Sequence, residues 1–441
     1  MTTTKLGIVG CGFVFDHYMT TIERHPGLEI AGVTDIDRRR VQAVAAYYGV
    51  PTFANTDALI ADPSIDIVVN LTSIPSHFDV TRAALDAGKH VYSEKPLVTD
   101  MAQAHELVEF AAERGVRLSC APSNLLGATA QTMWKAVTDG AIGTPRIVYA
   151  EFDDNPIYLR GPEHWKSRSG APWPYLHEYE TGCTYEHVGY HLSWMCAMFG
   201  PVASVTAFSK MTLPDKTDRP LSPPDTPDFS IACLDFVSGV VGRVTCSIAA
   251  PYDHRMRIIG NRGMVHADTY RHYECPVYLE SFTKLSLNVR NFRAVRTGSV
   301  VQRILGVGGR RLPLARSAPP GSQGVASPAR TRRDPRALLQ RVRRDQVGQQ
   351  DKCIGIAELA DAIVTGRDHF PSPEFTLHLT ELTLAIQGAG TTGAAHVMET
   401  SFDPLELPER TLHAAPDYRE FATPSRVDRL LSGVLKLAAS A

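Results

Sequence analysis

Short apolar runs alternate with amphipathic stretches over the first 122 residues. Runs such as "LGIVG" and "LEIAGVTD" are each followed by a segment whose apolar positions recur every three to four residues. This order predicts parallel strands joined by helices on both faces of one sheet. The strands are expected at residues 5–9, 28–35, 66–73, 90–96 and 116–122. Residues 1–122 are therefore predicted to form a doubly wound α/β domain, a Rossmann-type nucleotide-binding domain.

The pattern changes after residue 122. A long helix over about 126–139 leads into short strands that are parted by Gly, Pro and Asp between about 202 and 290. Such runs suit the hairpins of an antiparallel sheet. Residues 123–290 and 349–400 are predicted to form a second, α+β domain with a mostly antiparallel sheet.

Two further segments fall outside both domains. Residues 291–348 are rich in Gly, Pro, Ser and Arg and lack apolar periodicity, which predicts a disordered insertion. Residues 401–441 are predicted to be a C-terminal tail. Its last part, "VDRLLSGVLKLAAS", is typical of a short amphipathic helix that packs on the protein or lies on a membrane surface.

Composition narrows the class of protein. The chain is 44% hydrophobic with a net charge of −2, and its eight cysteines form no C-x-x-C pair. No apolar run reaches the roughly 18 residues of a membrane span. We expect a cytoplasmic protein with reduced thiols. Fourteen arginines lie between residues 290 and 345, but the segment has almost no aromatic residues for base stacking, so no nucleic-acid partner is expected.

A glycine pair marks the expected cofactor loop. Gly10 and Gly12 follow the first strand directly, and Phe13 and Val14 begin the next helix. Glycine suits a tight turn at which a pyrophosphate approaches the backbone and the helix N–H groups point at it. An ordinary tight turn would look the same.

Asp35 supports the prediction that this loop binds a dinucleotide. It ends the second strand, 23 residues after Gly12, where an acid accepts hydrogen bonds from both ribose hydroxyls of NAD. Its charge repels the 2′-phosphate of NADP, although the three arginines at 38–40 can attract one. NAD is the predicted cofactor, and NADP stays possible.

"SEKP" closes a strand at the carboxyl edge of the predicted sheet, where doubly wound folds bind ligands. Lys95 in this motif can hydrogen-bond a substrate oxygen and stabilise alkoxide character. The alternative is a solvent-exposed lysine paired with Glu94.

"YEHVGYH" places His187 and His191 four residues apart, with Glu186 alongside. On a helix both histidines would share one face and reach the cleft, whereas Glu186 would point about 100° away from His187. This spacing fits a zinc site, a proton-transfer site or a structural pair.

Taken together, these motifs and "LTSIPSH" resemble the glucose–fructose oxidoreductase and inositol dehydrogenase (Gfo/Idh/MocA) family. The likeness covers about residues 4–285 and resumes near 350, and "GKHVYSEKP" is its most specific part. The resemblance implies a pyridine-nucleotide oxidoreductase that acts mostly on sugars or cyclic polyols and needs no metal.

On the cofactor side, the resemblance assigns several positions. Lys95 matches the family's catalytic lysine, and its bond to Pro96 matches one that is usually cis. Glu94 belongs to the same motif. Thr72 begins the family's Thr-Pro-Asn loop, which continues here as Ser-Ile, and His77 still falls in place.

On the substrate side, His191 matches the family histidine, while His187 stands where an aspartate is expected. Phe15 replaces a small residue of the glycine loop. With this likeness, His187, His191 and Glu186 are interpreted as an acid/base group and not as a metal site.

The predicted function is hydride transfer between NAD(P) and a secondary alcohol of a sugar or cyclic polyol, by a homo-oligomer formed through the C-terminal sheet. Two alternatives remain. Tightly held NAD can serve a redox-neutral, glycosidase- or epimerase-like cycle, or the fold can bind NAD and sugar without turnover.

Overall fold

Two β-sheets organise the protein. The computed structural model describes residues 3–268, 273–298, 300, 302, 307–317, 321–322, 350–423 and 430. Within these ranges, a parallel sheet near the N-terminus and a larger mixed sheet each carry their own helices. The predicted combination of a doubly wound α/β domain with an α+β domain is confirmed.

The first sheet is parallel and has the strand order β2-β1-β3-β4-β5. The chain order reverses beside β1, which opens a crevice between the carboxyl ends of β1 and β3. All four residues of β3 are buried, because helices cover both faces. The strands are β1 (Thr4–Val9), β2 (Leu28–Thr34), β3 (Ile67–Asn70), β4 (His90–Ser93) and β5 (Leu118–Cys120). The helices are α1 (Phe13–Met19), α2 (Arg38–Tyr48), α3 (Thr56–Ile60), α4 (His77–Asp86) and α5 (Met101–Glu113).

Phe15 is accommodated within this first domain. It is fully buried and packs edge-on against Tyr48, with 5.9 Å between ring centroids. The large side chain therefore fills the core beneath the glycine loop and does not occupy the crevice.

The second sheet has nine strands in the order β13-β12-β11-β10-β6-β9-β8-β7-β14. Among the described strands of this second sheet, only the β6–β9 pair is parallel. The strands are β6 (Pro145–Asp153), β7 (Val202–Lys210), β8 (Phe229–Phe236), β9 (Val241–Ser247), β10 (Met256–Gly260), β11 (Gly263–Ala267), β12 (Val277–Ser281), β13 (Arg310–Arg311) and β14 (Ala394–Val397).

Helices cover one face of this sheet and bury its apolar side chains, Val148, Phe152, Leu234 and Val244 among them. The helices after the first domain are α6 (Ala128–Thr138), α7 (Tyr175–Thr181), α8 (Gly189–Phe199), α9 (Lys284–Asn288), α10 (Arg293–Thr297), α11 (Ile354–Thr365), α12 (Pro373–Gln387) and α13 (Glu409–Leu412). The assignment of all of residues 349–400 to the second domain is wrong for α11, because Ile356 and Leu359 pack in the core of the first domain. None of the described helices is both long and apolar enough to cross a membrane.

The predicted disordered insertion is wrong for part of its range. Residues 310–311 form β13 at the edge of the large sheet, and Leu312 and Ala315 are buried. The Tyr418 hydroxyl donates to the carbonyl of Pro313 at 2.6 Å. These tertiary contacts order a stretch too short to show periodicity, while residues 323–349 lie outside the described residues.

The C-terminal residues up to 423 are also packed, contrary to the expected tail. Phe402 and Tyr418 are buried in the core of the second domain. The amphipathic helix expected over residues 427–440 lies outside the described residues, except for residue 430.

Candidate active site

The glycine loop lines the crevice of the first sheet. Gly10 has φ +104°, and a Cβ there would lie 2.5 Å from the carbonyl oxygen of Leu71, so only glycine fits without strain. A Cβ on Gly12 would meet no atom within 4 Å, so the backbone is open on that side. Phe13 and Val14 follow as the first residues of α1.

Asp35 lies against this loop. One carboxylate oxygen accepts the backbone N–H of Cys11 at 2.6 Å, and the other accepts that of Asp37 at 2.8 Å. The negative charge is therefore held beside the turn between β1 and α1, where a ribose follows a pyrophosphate bound at the glycines.

The three neighbouring arginines have protein partners. Arg38 donates to the carbonyl of Ala54 at 2.6 Å, and Arg39 pairs with Asp37 at 3.2 Å. Arg40 donates to the carbonyl of Cys11 at 3.0 Å. Each of the three guanidinium groups thus has a partner within the protein, and these arginines have a structural role that does not depend on a 2′-phosphate.

His77 connects the loop that follows β3 with the loop that follows β4, at the carboxyl edge of the sheet. Its Nδ1 lies 2.7 Å from the carbonyl oxygen of Pro96, and its Nε2 lies 3.2 Å from that of Thr72. Burial lowers the pKa of His77, so the ring is neutral near pH 7 and donates one hydrogen. The shorter contact assigns that hydrogen to Pro96. His77 thus positions the loop after Lys95, and the Lys95–Pro96 bond is cis.

Glu94 holds the backbone of Lys95, the candidate catalytic lysine. Its carboxylate accepts the hydroxyl of Tyr18 at 2.9 Å and the backbone N–H of Lys95 at 3.0 Å. The ammonium of Lys352 lies 3.3 Å away. Burial alone would raise the pKa of Glu94, but Lys352 and Lys95 outweigh it and hold that pKa at about 2.

Lys95 forms an ion pair with Glu186. Burial opposes the charged form of Lys95, but Glu186, Tyr190 and Glu94 outweigh it and raise its pKa above the ordinary value. The side chains of Lys95 and Glu186 keep 16% and 15% exposure, so the pair reaches the crevice. The expectation that Glu186 points away from the site is wrong.

The backbone at the motif explains this correction. Residues Thr184–Val188 form a π-helix, whose i→i+5 hydrogen bonds widen the turn, and α8 follows from Gly189. The 100° step of an α-helix therefore does not apply at Glu186 and His187.

His187 pairs with an acid that the sequence did not single out. Its Nε2 lies 2.5 Å from Glu178, and its ring stacks on Phe152 at 4.5 Å. The side chain keeps 11% exposure. A carboxylate on one ring nitrogen fixes the tautomer and orientation of the imidazole.

His191 lies in the core, not in the crevice as the helical spacing predicted. It is fully buried, and its Nε2 lies 3.3 Å from the carbonyl oxygen of His254. Burial lowers the pKa of His191 to about 4. The two histidines of the motif are therefore in different environments.

These residues fit NAD. Gly10 and Gly12 leave the backbone accessible, and Asp35 supplies an acceptor at the ribose position. In the described part of the chain, no three His, Cys, Asp or Glu residues come together to hold a metal ion.

Sequence reasoning missed Glu178, Tyr190 and Lys352. Glu178 lies on α7 and Lys352 lies two residues before α11, and neither is part of a motif that the sequence singled out. Only the folded chain brings them to the residues at 94–95 and 187.

Two family models match the chain. Residues 4–121 match the model described as "Oxidoreductase family, NAD-binding Rossmann fold". Residues 130–266 match that described as "GFO/IDH/MocA C-terminal domain".

Curated relatives share part of their length with this chain. Inositol 2-dehydrogenase 3 of Saccharopolyspora erythraea is 32% identical over 181 residues, which are 41% of this chain and 52% of the relative. Inositol 2-dehydrogenase/D-chiro-inositol 3-dehydrogenase of Lactiplantibacillus plantarum is 25% identical over 278 residues, which are 60% of this chain and 72% of the relative. The chain thus spans about half to three-quarters of these proteins.

Solved structures share the fold. A levoglucosan dehydrogenase in complex with NADH and levoglucosan superimposes with a TM-score of 0.68 at 17% identity, covering 90% of this chain and 100% of that one. The aldose-aldose oxidoreductase of Caulobacter crescentus, complexed with glycerol, gives 0.66 at 19% identity with the same coverage.

Proposed function

This chain belongs to the Gfo/Idh/MocA oxidoreductase family, and from that premise we propose that it transfers hydride between NAD and a secondary alcohol of a sugar or cyclic polyol. The observation that supports this most is the Lys95–Glu186 ion pair, which lies at the carboxyl edge of the NAD-binding sheet. It combines a positive charge, which can stabilise the reacting oxygen, with a carboxylate that can accept the hydroxyl proton.

Lys95 is the group that binds the reacting oxygen. Its raised pKa keeps it charged, so its ammonium donates to the substrate hydroxyl and stabilises the alkoxide character that develops there. Glu186 accepts the hydroxyl proton. NAD, held at Gly10, Gly12 and Asp35, would supply the hydride acceptor. Burial of the Lys95–Glu186 pair strengthens both interactions, because the local dielectric is low.

His187 is a second candidate for the proton. Its contact with Glu178 resembles the carboxylate–histidine pairs that orient a general base. Fully buried His191 is not assigned a chemical step, because its Nε2 faces a backbone carbonyl. Two variants distinguish Glu186 from His187 as the proton acceptor. If Glu186 accepts the proton, as we propose, Glu186→Gln abolishes turnover. If the imidazole of His187 accepts it, His187→Ala abolishes turnover.

The substrate class rests on the relatives. Those compared include enzymes named for inositols, whose ring carbons carry secondary hydroxyls. A redox-neutral cycle on held NAD would use the same residues, so release of NADH during turnover is the observation that distinguishes the two.

The test is turnover of a panel of inositols and sugars with NAD, followed by NADH absorbance. We expect Lys95→Met to lower kcat by roughly 10²-fold or more, since the electrostatic support of the reacting oxygen is lost. NAD affinity, measured by fluorescence titration, should stay near the wild-type value. Loss of NAD binding with residual turnover would contradict this assignment.

We further propose a homo-oligomer and a cytoplasmic location. The helices of the described residues leave one face of the large sheet uncovered, with exposed Val241 and half-buried Ile147, Ile259 and Met264 in one row across four strands. A second copy of the chain is the occupant that suits this face. All eight cysteines are free thiols, which suits a reducing compartment.

A further inference from the structure

Lys352 lies behind the reacting centre and has no role in the chemistry described so far. It is 4% exposed, and its ammonium is 3.3 Å from a Glu94 carboxylate oxygen and 3.2 Å from the Tyr190 hydroxyl. Residue 352 lies two residues before α11. A buried ammonium is costly unless it is paired and hydrogen-bonded, and both conditions are met here.

Four charges alternate along this line of contacts. Glu186 pairs with Lys95, the backbone N–H of Lys95 donates to Glu94, and Glu94 pairs with Lys352. Without Lys352, the buried carboxylate of Glu94 and the partly exposed carboxylate of Glu186 would compete for the single ammonium of Lys95. With Lys352 present, the Lys95 ammonium is left to Glu186 and to the substrate.

The neighbours of Lys352 hold it in place. The Asp351 carboxylate lies 2.9 Å from Nε2 of His25, and the Cys353 thiol lies 3.2 Å from the carbonyl of Tyr18. Both partners belong to the segment that follows the glycine loop. Residues 351–353 therefore lie against the first domain with little freedom to move.

We propose that Lys352 is a positioning residue of the active site, which fixes Glu94 and through it the backbone and ammonium of Lys95. The expected effect of Lys352 on turnover rests on the proposed oxidoreductase function. Its expected effect on the Lys95 backbone does not depend on that function. A purely structural buried pair predicts a different result, because removing one partner then lowers stability and leaves kcat of the folded protein near the wild-type value.

The experiment compares Lys352→Met, Glu94→Gln and the double variant in the full chain. We expect Lys352→Met to lower kcat by about 10- to 100-fold, as small displacements of a catalytic group do, with NAD affinity near wild type. Because Lys352 acts through Glu94, the double variant should be no slower than Glu94→Gln alone. Multiplying effects of the two changes would overturn the proposal, as would a wild-type kcat in Lys352→Met.

Lys216→Met is the matched control, since Lys216 is an equally buried lysine that pairs with Asp228 at 3.0 Å in the second domain. It should lower the melting temperature and leave kcat within about twofold.

Hydrogen exchange of the peptide that contains Lys95 gives a readout independent of turnover. The backbone N–H of Lys95 should exchange faster in Lys352→Met and be unchanged in Lys216→Met. If the wild type turns over no polyol, the proposed function is wrong, but hydrogen exchange still tests the positioning role of Lys352. Unchanged exchange in Lys352→Met would refute the positioning role.

Discussion

At the scale of one residue, Asp35 is the side chain on which the proposed preference for NAD rests. Both carboxylate oxygens accept backbone N–H groups, from Cys11 and Asp37. The side chain is therefore held in one orientation beside the glycine loop, with lone pairs left for ribose hydroxyls. The arginines that follow are engaged with other groups of the protein.

Replacing Asp35 with Ala should weaken NAD binding roughly tenfold or more, since a hydrogen bond to a charged group contributes about 1.5–3 kcal/mol. NADP binding should weaken less, because the repulsion of its 2′-phosphate is removed. Fluorescence titration with each dinucleotide measures both effects. A wild-type protein that already prefers NADP would contradict this interpretation of Asp35.

At the scale of elements, a loop of the second domain lies across the glycine loop. Residues 166–172 form a tight turn closed by a bridge between Lys166 and Pro172. At its tip, Ser169 donates from its hydroxyl to Asp16 at 2.7 Å and accepts from Arg40 at 2.9 Å. Arg40 also binds the carbonyl of Cys11, so this loop and the cofactor loop share one residue.

Ser169→Ala should therefore speed the release of NADH several-fold, because the hydroxyl bonds to Asp16 and Arg40 are lost, each about 1 kcal/mol or more. Stopped-flow fluorescence measures the rate. Ser64→Ala, at an exposed serine of the first domain, is the control and should leave the rate unchanged. Equal release rates in all three proteins would show that the loop does not retain the cofactor.

At the scale of the whole molecule, the proposed homo-oligomer depends on the face of the large sheet that the described helices leave uncovered. Tyr149 lies between Arg243 and Arg257 on adjacent strands, next to the apolar row of Val241, Ile147, Ile259 and Met264. An apolar row beside a charged one suits a self-complementary interface.

Ile147→Glu should split the oligomer, because it places a charge in the centre of the apolar row. Light scattering should then give the mass of one chain, against two or more for the wild type. Val364→Glu, on an exposed site of α11, should leave the mass unchanged. A wild-type monomer would refute the interface.

The order of elements and the chemistry of the cofactor loop could be predicted from the sequence. Alternating strands and helices specify the parallel sheet, because each local period is set by nearest neighbours along the chain. Gly10, Asp35 and Lys95 were found for the same reason, since each lies at a strand end where the local pattern places it at the carboxyl edge of the sheet.

Only the tertiary structure decided which groups meet in the site. A π-helical turn brings Glu186 to Lys95, and a regular helical period gives no sign of that turn. The partners Glu178 and Lys352 are 9 and 258 residues away in sequence from His187 and Glu94. Burial places His191 in the core, although its spacing is that of a ligand pair. Local pattern fixes elements, but the neighbours that set charge and proton position depend on how those elements pack.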